Sequence, residues 1–347
     1  MDDWRTFHED FFQGCRVLVT GGAGFIGSHL AEALLSVGAD VVVLDDLSGG
    51  DRANLEPFAA TAGNRLRFVV GSILDEPVLA DCTAGCRYVF HQAALGSVPR
   101  SVAEPVLFAR VNVTGTLNVL QAARAAGVER VTFAASSSAY GDTPTLPKVE
   151  SMPPLPRSPY AATKLAGEAL MRAYSASYGL DTVTLRYFNI FGPRQNANSA
   201  YAAVIAAFAK ALLNDQSPVI YGDGEQSRDF TFVDNVVHAN LLAARRDQPI
   251  DGEVINVACG RRVTVNELVR LMAQLLDKTG LEPVYEPPRP GDVKHSLADL
   301  TRARQVLGYE PLGEFAAGLE QTVAWFGGAV GTGARGPGVA RGPVAGG

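Results

Sequence analysis

Thr20-Gly21-Gly22-Ala23-Gly24-Phe25-Ile26-Gly27 is the stretch on which the reading of this chain turns. Its glycines at 21, 24 and 27 give the pattern G-x-x-G-x-x-G. Alone the pattern is weak, so its flanks decide. Upstream, residues 15–20 (C-R-V-L-V-T) form a short β-branched run expected to be a strand. Downstream, residues 26–37 repeat apolar side chains at helical spacing until Gly38 stops them. Residues 40–44 (D-V-V-V-L) then make a second buried strand, closed by Asp45, Asp46 and the turn Ser48-Gly49-Gly50. Strand, glycine turn, helix and strand make a βαβ unit.

In that context the glycines have a physical job. They allow a tight turn and let the backbone approach a pyrophosphate, while the helix N-terminus offers unpaired N–H groups and a partial positive charge. Asp45, at the end of the second strand, can accept hydrogen bonds from a ribose and repels a 2′-phosphate, which selects NAD over NADP. Arg52 is the nearby cation that could blur that choice.

Outward from this unit the alternation continues. Residues 67–70, 88–91, 131–135 and 182–187 read as strands, separated by helical stretches that include 106–126 and 158–178. The expected fold is α/β, a Rossmann-type doubly wound parallel sheet, with a smaller interwoven C-terminal substrate domain. Residues 1–14 read as an N-terminal leader able to form a short helix. Residues 15–190 read as the NAD-binding domain, to which some later segments return. Residues 191–326, with helices near 202–213, 233–244 and 265–277, read mainly as the substrate domain. The Pro-rich stretch 283–292 reads as an ordered loop, and residues 327–347, almost only Gly, Ala, Val, Pro and Arg, as a disordered tail.

With 347 residues and 47% hydrophobic content the chain has ample material for a core. Its formal charge of −6 argues against a generic binder of nucleic acid or anionic membrane. The acidic N-terminus lacks the basic start and apolar stretch of a signal peptide, and no apolar run approaches the ~20 residues of a membrane span. Cys15, Cys82, Cys86 and Cys259 are too few for a disulfide scaffold and read as free thiols, so a soluble cytoplasmic protein is expected. The five histidines, 8, 29, 91, 238 and 295, lack ligand spacing, and no metal is expected.

The chemistry points to a second constellation. Tyr160 and Lys164 are four residues apart at the start of a helical pattern and so share one face. A tyrosine with a pKa near 10 is a poor base, and a neighbouring ammonium lowers that value by stabilising the phenolate. Upstream, Ser136-Ser137-Ser138 closes the strand 131–135, at the carboxyl end of a strand, where ligands of open parallel sheets bind.

Together these features resemble the extended short-chain dehydrogenase/reductase family over roughly residues 14–326: the glycine turn, the serine run ending in Tyr140-Gly141, and Tyr160-x-x-x-Lys164. More closely, His91-Gln92-Ala93-Ala94-Leu95-Gly96-Ser97-Val98-Pro99-Arg100-Ser101, Arg186-Tyr187-Phe188-Asn189, Gly222-Asp223-Gly224, Ser227-Arg228-Asp229-Phe230 and Gly291-Asp292-Val293 resemble the nucleotide-sugar 4-epimerases, most of all the bacterial UDP-N-acetylglucosamine 4-epimerases.

The resemblance implies reversible inversion at C4 of a UDP-hexose through a transient 4-keto sugar, with NAD retained. Catalysis would fall to Tyr160, Lys164 and Ser136, with Ser137 as helper. Cofactor contacts would come from Gly21, Gly24, Phe25, Ile26, Gly27, Asp45, Asp46, Ser48, Gly49, Ser72, Ile73, Gln92, Ala93, Ala94, Tyr160, Lys164 and Tyr187. Arg228 and Arg289 would clamp the diphosphate, Asn189 donate to it, and Asp292 accept from the uridine ribose. Gly96, Ser97 and Gln195 would line the sugar beside Ser136 and Tyr160. Ser296, small where sugar-restricted relatives carry a bulky residue, would leave room for an N-acetyl group. A homodimer is implied, through the helices near 106–126 and 158–178.

Departures from the family pattern bear on the reading. Gly71-Ser72-Ile73 stands where an acid usually meets adenine, leaving Ser72 as a weaker acceptor. Ser137-Ser138 replaces the Asp-Glu pair of the related 4,6-dehydratases, which argues against water loss. The alternatives are a UDP-glucose or UDP-glucuronate 4-epimerase and, from a different class, a non-catalytic NAD-binding regulator.

Overall fold

The structure, a computed structural model, describes residues 4–196, 204–288, 294–313 and 315–331. Its centre is a seven-stranded sheet in which every neighbouring pair is parallel. The strands are β1 (Arg16–Thr20), β2 (Asp40–Asp45), β3 (Leu66–Val70), β4 (Tyr88–His91), β5 (Arg130–Ser136), β6 (Asp181–Tyr187) and, from much later in the chain, β11 (Glu253–Val257). Their spatial order is β11-β6-β5-β4-β1-β2-β3. The order reverses beside β1, between β1 and β4, and this is where an open parallel sheet leaves a crevice for a ligand.

Helices cover both faces, as a parallel sheet requires. In chain order they are α1 (Glu9–Phe12), α2 (Phe25–Ser36), α3 (Glu56–Ala62), α4 (Glu76–Thr83), α5 (Val98–Ala103), α6 (Pro105–Ala109), α7 (Gly115–Ala125), α8 (Pro159–Tyr178), α9 (Val204–Leu213), α10 (Val233–Arg245), α11 (Val265–Leu275), α12 (Thr301–Leu307) and α13 (Phe315–Gly331). On one face Val17, Val19 and Val41 pack with Leu30 and Leu34 of α2 and with Val237 and Leu241 of α10. On the other, Leu18, Val42 and Val89 meet Leu79 of α4, Leu120 of α7 and Met171 of α8. Alternate residues of each strand serve alternate faces, so the strands read as nearly continuous apolar runs.

The second lobe has its own core, built from Phe191, Phe208, Ile220, Phe230, Leu268, Phe315 and Leu319. Short strand pairs frame it: β7 (Ile190–Phe191) with β10 (Thr231–Phe232), β9 (Ser227–Arg228) with β12 (Val263–Thr264), and β8 (Val219–Tyr221) with β13 (Val284–Glu286).

Three expectations need correction. The helix expected over 106–126 is α6, a π-turn over Arg110–Thr114, and α7. An apolar pattern that persists across the extra residue conceals such a widened turn. The stretch 283–292 is not all loop, since Val284–Glu286 pairs with β8. The first residues of the expected disordered tail continue α13 to Gly331. Leu319, Val323 and Phe326 anchor that helix, and propagation past an anchored turn is cheap. Residues 332–347 lie outside the described residues.

The leader docks rather than dangles. His8 and Phe12 are fully buried, and His8 Nε2 lies 3.2 Å from Nδ1 of His238 on α10. Burial, and then the neighbouring His238, lower the His8 pKa to about 3, and burial alone lowers that of His238 to about 4. His91, between the hydroxyls of Thr20 (2.7 Å) and Thr116 (2.9 Å), is lowered to about 3 by burial and then by Lys164.

These three imidazoles fold neutral but take up protons near pH 6.5 when unfolded. Their contribution is therefore complete above that pH and lost as the pH falls toward 4, at up to about 1.4 kcal/mol per pH unit for each. Asp229, whose pKa is raised to about 6, works in the opposite sense below pH 6. His29, lowered to about 4 by burial, makes four imidazoles against the raised carboxyls of Asp229, Asp45 and Glu150, and the large imidazole shifts outweigh them, so the melting temperature should drop from pH 6.5 to 4.5. A melting temperature independent of pH across that window would show that the histidines are not held neutral.

Candidate active site

One cleft runs along the carboxyl ends of the central strands. Its walls come from Gly21 after β1, Asp45 at the end of β2, Gly71 after β3, Gln92 after β4, Ala135 on β5 and Tyr187 at the end of β6. Of the residues expected to hold the cofactor, Gly21, Gly24, Phe25, Ile26, Gly27, Asp45, Asp46, Ser48, Gly49, Ile73, Gln92, Ala93, Ala94, Tyr160, Lys164 and Tyr187 all line this cleft. Gly96 and Gln195 line it as well.

The glycine turn is built for close approach. Gly21 has φ +67°, and a Cβ there would sit 2.7 Å from the backbone of Ala93. A Cβ on Gly27 would press on the carbonyl of Gly21 and lie 2.8 Å from Cα of Gly22. Extended backbone at Gly24 then starts α2, whose first-turn amides face the cleft side. The Asp45 carboxylate accepts from Ala23 N (3.0 Å) and Leu47 N (2.8 Å) and is buried. Burial raises its pKa, and those amides oppose the rise. Arg52 stacks its guanidinium over Phe68, 4.9 Å from the ring centre.

Gln195 adds an independent sign of a ligand site. Its amide nitrogen donates to Ile190 O (3.0 Å), while its buried Oε1 has no partner. Cradle, acid and orphaned acceptor fit NAD with a ligand beside it. Gly27→Ala should therefore cost about 1–3 kcal/mol through overpacking. It should also yield protein without bound nucleotide, seen as a lost absorbance shoulder after denaturation. Retention of full cofactor by this variant would refute the close-approach argument.

The helix that carries the Tyr/Lys pair is firmly started. Ser158 caps it by accepting from Ala161 N (3.1 Å), Pro159 occupies the first turn, and Gly179 ends it in the left-handed region. Tyr160 is thus placed in the first turn, half-buried on the cleft and hydrogen-bonded to Ser136. Lys164 is buried, and its Nζ donates to Ala134 O at 2.7 Å. Burial raises the Tyr160 pKa, with Ser136 opposing, and lowers that of Lys164 to about 8, with Glu168 opposing. The expected pairing is present on one face, but the contact that favours the phenolate here is Ser136.

The serine run divides its work. Ser136 Oγ accepts from Ser138 N (3.2 Å) and from Ser138 Oγ (2.9 Å). Ser137 opens the 3₁₀ turn Ser137–Tyr140. Ser97 caps α5 by accepting from Arg100 N (3.2 Å) and does not line the cleft. Ser72 Oγ accepts from Leu74 N (3.2 Å) within its own turn, and Ser72 is not part of the cleft wall, while its hydroxyl keeps a donor and a second lone pair.

A second cavity adjoins the first at Ile190. Asn189, Phe208, Tyr221, Gln226, Arg228 and Phe230 line it. Asn189 sits at φ +41° and donates to Ser296 Oγ and to Asp229 O, both at 3.3 Å. Arg228 Nη1 donates to the carbonyls of Ser227 and Lys294, both at 3.1 Å. Asp229, next to Arg228 in the chain, is fully buried. It accepts from Cys259 N, Gly260 N and Ala298 N at 3.0–3.1 Å, tying the segment of Ser296 to the rest of the lobe. Arg289 and Asp292 lie outside the described residues.

Phe208, Tyr221 and Gln226 escaped the sequence reading because a helix, a strand and a loop deliver them separately. Only the aromatic next to Arg228-Asp229 could have flagged an apolar wall. Among the described residues no three His, Cys, Asp or Glu side chains gather as a metal site, and no helix is long and apolar enough to cross a membrane.

Comparison with known proteins agrees with this geometry. The profile of the NAD dependent epimerase/dehydratase family matches residues 17–258. A UDP-glucose 4-epimerase of Mycolicibacterium smegmatis is 42% identical over 90% of this chain and 98% of its own length. Among solved structures, a UDP-N-acetylglucosamine 4-epimerase from Methanobrevibacter ruminantium, in complex with UDP-N-acetylmuramic acid, superposes with a TM-score of 0.85 at 42% identity, covering 91% of this chain and 99% of that one. A UDP-glucose 4-epimerase from Thermus thermophilus, in complex with NAD, gives 0.79 at 37% identity, covering 90% and 99%.

Proposed function

We propose that this chain, which belongs to the NAD dependent epimerase/dehydratase family, inverts C4 of a UDP-hexose and that its main substrate pair is UDP-N-acetylglucosamine and UDP-N-acetylgalactosamine. The observation that carries the reading is a single continuous site. A dinucleotide cleft lined by Tyr160 and Lys164, with Ser136 bonded to Tyr160, shares Ile190 with a cavity lined by Arg228 and Asn189, and Asn189 donates to the small Ser296.

In this reading Tyr160 removes the proton of the sugar 4-hydroxyl, with Ser136 sharing it through their hydrogen bond. Lys164, held charged against Ala134 O, stabilises the phenolate. Bound nicotinamide supplies hydride acceptance and return at C4. The 4-keto sugar turns in the cleft while the diphosphate stays clamped by Arg228 and, outside the described residues, Arg289. Tyr160 would return the proton to the C4 oxygen, the inversion itself coming from hydride return to the other face of C4. Ser137-Ser138, in place of an acid pair, leave no group to drive dehydration.

Two further parts of the reading follow. The apolar Val106, 81% exposed, and Leu117 and Tyr178 on the neighbouring α7 and α8 suit a homodimer through those helices. The free thiols of Cys15, Cys82 and Cys86, all buried, suit a cytoplasmic home.

The test is proton NMR of the purified protein with UDP-N-acetylglucosamine and no added cofactor. Appearance of UDP-N-acetylgalactosamine is the expected result. Conversion of UDP-glucose or UDP-glucuronate alone would move the substrate to those sugars, and inertness towards all three would refute the reading.

A further inference from the structure

The chain that leaves β7 carries two neighbours with different destinations. Gln195 lines the cleft, and Arg194 reaches the cofactor helix α2. Arg194 Nη2 donates to Glu32 Oε2 at 2.6 Å, with the Arg194 side chain 12% exposed and that of Glu32 37%. Its Nη1 lies 3.5 Å from Ser28 Oγ, and its guanidinium rests 5.6 Å from the ring centre of Phe58. One residue earlier, Pro193 O lies 3.0 Å from His29 Nε2. A carbonyl only accepts, so His29 carries its proton on Nε2 and donates. Glu32, Ser28 and His29 share α2 with Phe25 and Ile26, which line the cleft together with Gln195.

Arg194 has φ +65°, a left-handed conformation that a residue with a Cβ adopts at a cost. Such a residue persists where its contacts over-determine it. An ion pair as exposed as this one adds little to stability, so its effect is on placement. It fixes to α2 the turn on which Gln195 sits. Gln195 Nε2 donates to Ile190 O at 3.0 Å, within the same loop, and that bond leaves Oε1 buried and unmatched. An unmatched carbonyl calls for a donor, a hydroxyl or an amide N–H, and a phosphate, which only accepts when ionised, does not satisfy it.

We infer that Arg194 is a positioning residue: clamped to α2 by Glu32, with His29 holding Pro193, it sets Gln195 Oε1 in the cleft as the acceptor for a hydrogen-bond donor of the bound sugar. The helix that starts the cofactor cradle thereby also sets one wall of the sugar site. The identity of the ligand rests on the proposed function. The clamp rests on the contacts alone.

Two readouts separate this from a merely structural role. In holoenzyme labelled with ¹⁵N-glutamine, the Gln195 side-chain amide is identified by its absence in Gln195→Ala, and its exchange with solvent is followed by NMR without any sugar. Arg194→Met and Glu32→Ala should each speed that exchange by roughly tenfold or more. Calorimetry then compares UDP-N-acetylglucosamine with UDP alone. Arg194→Met should weaken the UDP-sugar by roughly three- to tenfold, the worth of one hydrogen bond, and leave UDP affinity and NAD content unchanged. Gln195→Ala should do the same. Arg194→Met/Gln195→Ala should bind no more weakly than Gln195→Ala alone, because Arg194 acts through Gln195.

Unchanged Gln195 exchange in both clamp variants overturns the inference, as do losses that add in the double variant. An equal loss of UDP affinity overturns it too, reducing Arg194 to a support of the loop. Loss of NAD in Gln195→Ala with UDP-sugar affinity intact would make the nicotinamide carboxamide the donor and overturn the assignment to the sugar. Wild-type protein without affinity for any UDP-sugar would instead refute the proposed function, and the exchange measurement would still decide the clamp.

Discussion

Tyr160→Phe is expected to lower turnover of UDP-N-acetylglucosamine by at least ~10²–10⁴-fold, the usual worth of a positioned acid–base group. Cofactor content and melting temperature should stay close to wild type. The asymmetry follows from placement. The phenol projects from the first turn of a helix already secured by Ser158, Pro159 and Gly179, so its hydroxyl contributes little to starting α8. The ring, half-buried on the cleft, is retained in phenylalanine. What disappears is the α8 hydroxyl that meets Ser136 and that, in the proposed reaction, takes the proton from the sugar.

The same variant separates the enzyme from the NAD-binding regulator. A regulator has no turnover to lose and would be indifferent to the substitution. Stopped-time NMR with each variant, together with nucleotide released on denaturation, measures both quantities in one preparation. Tyr160→Phe with wild-type turnover would remove Tyr160 from the chemistry and return the proton transfer to another group.

Much of this was legible in the chain because local and global signals agree. Strand, glycine turn and helix over residues 16–36 need no tertiary information, since their apolar spacing and glycines dictate both the turn and the burial. The Tyr160–Lys164 face is legible for the same reason: helical spacing places both before any fold is known.

What stayed hidden depends on tertiary contact. Asp229 looks like any loop acid until three backbone amides from two distant segments converge on it. The bond from Leu74 N to Ser72 Oγ is likewise invisible in the chain, since it depends on how the turn after β3 closes. The π-turn at Arg110–Thr114 keeps the apolar pattern and so leaves no trace in periodicity. The buried ion pair of Glu168 with Arg186 could have been found in part. Glu168 continues the Tyr160–Lys164 spacing by four residues, and a carboxylate on a face that must be buried is a signal that a partner exists.

Ser296→Tyr is expected to split the two sugar classes. The catalytic efficiency with UDP-N-acetylglucosamine should fall by roughly 10²-fold or more, since a clash discriminates more strongly than a missing contact. The efficiency with UDP-glucose should change only a few-fold. The expectation depends on the backbone being unable to yield. Ser296 N donates to Ser227 O at 3.0 Å. Two residues on, Ala298 N donates to the buried Asp229 carboxylate at 3.1 Å, and Lys148 N donates to Leu297 O at 2.7 Å.

With the segment pinned at 296, 297 and 298, a larger side chain cannot back away and must extend past Asn189, whose amide now meets the serine hydroxyl. Asn189 lines the second cavity, the side on which the proposed reading seats the C2 substituent. A hydroxyl at C2 tolerates the loss of space, and an N-acetyl group does not. Ser296→Ala, which removes the Asn189 contact without adding bulk, should leave both sugars as substrates. Equal losses with the two sugars in Ser296→Tyr would mean that the position is needed only for packing, and the N-acetyl preference would have to be sought elsewhere along the cleft.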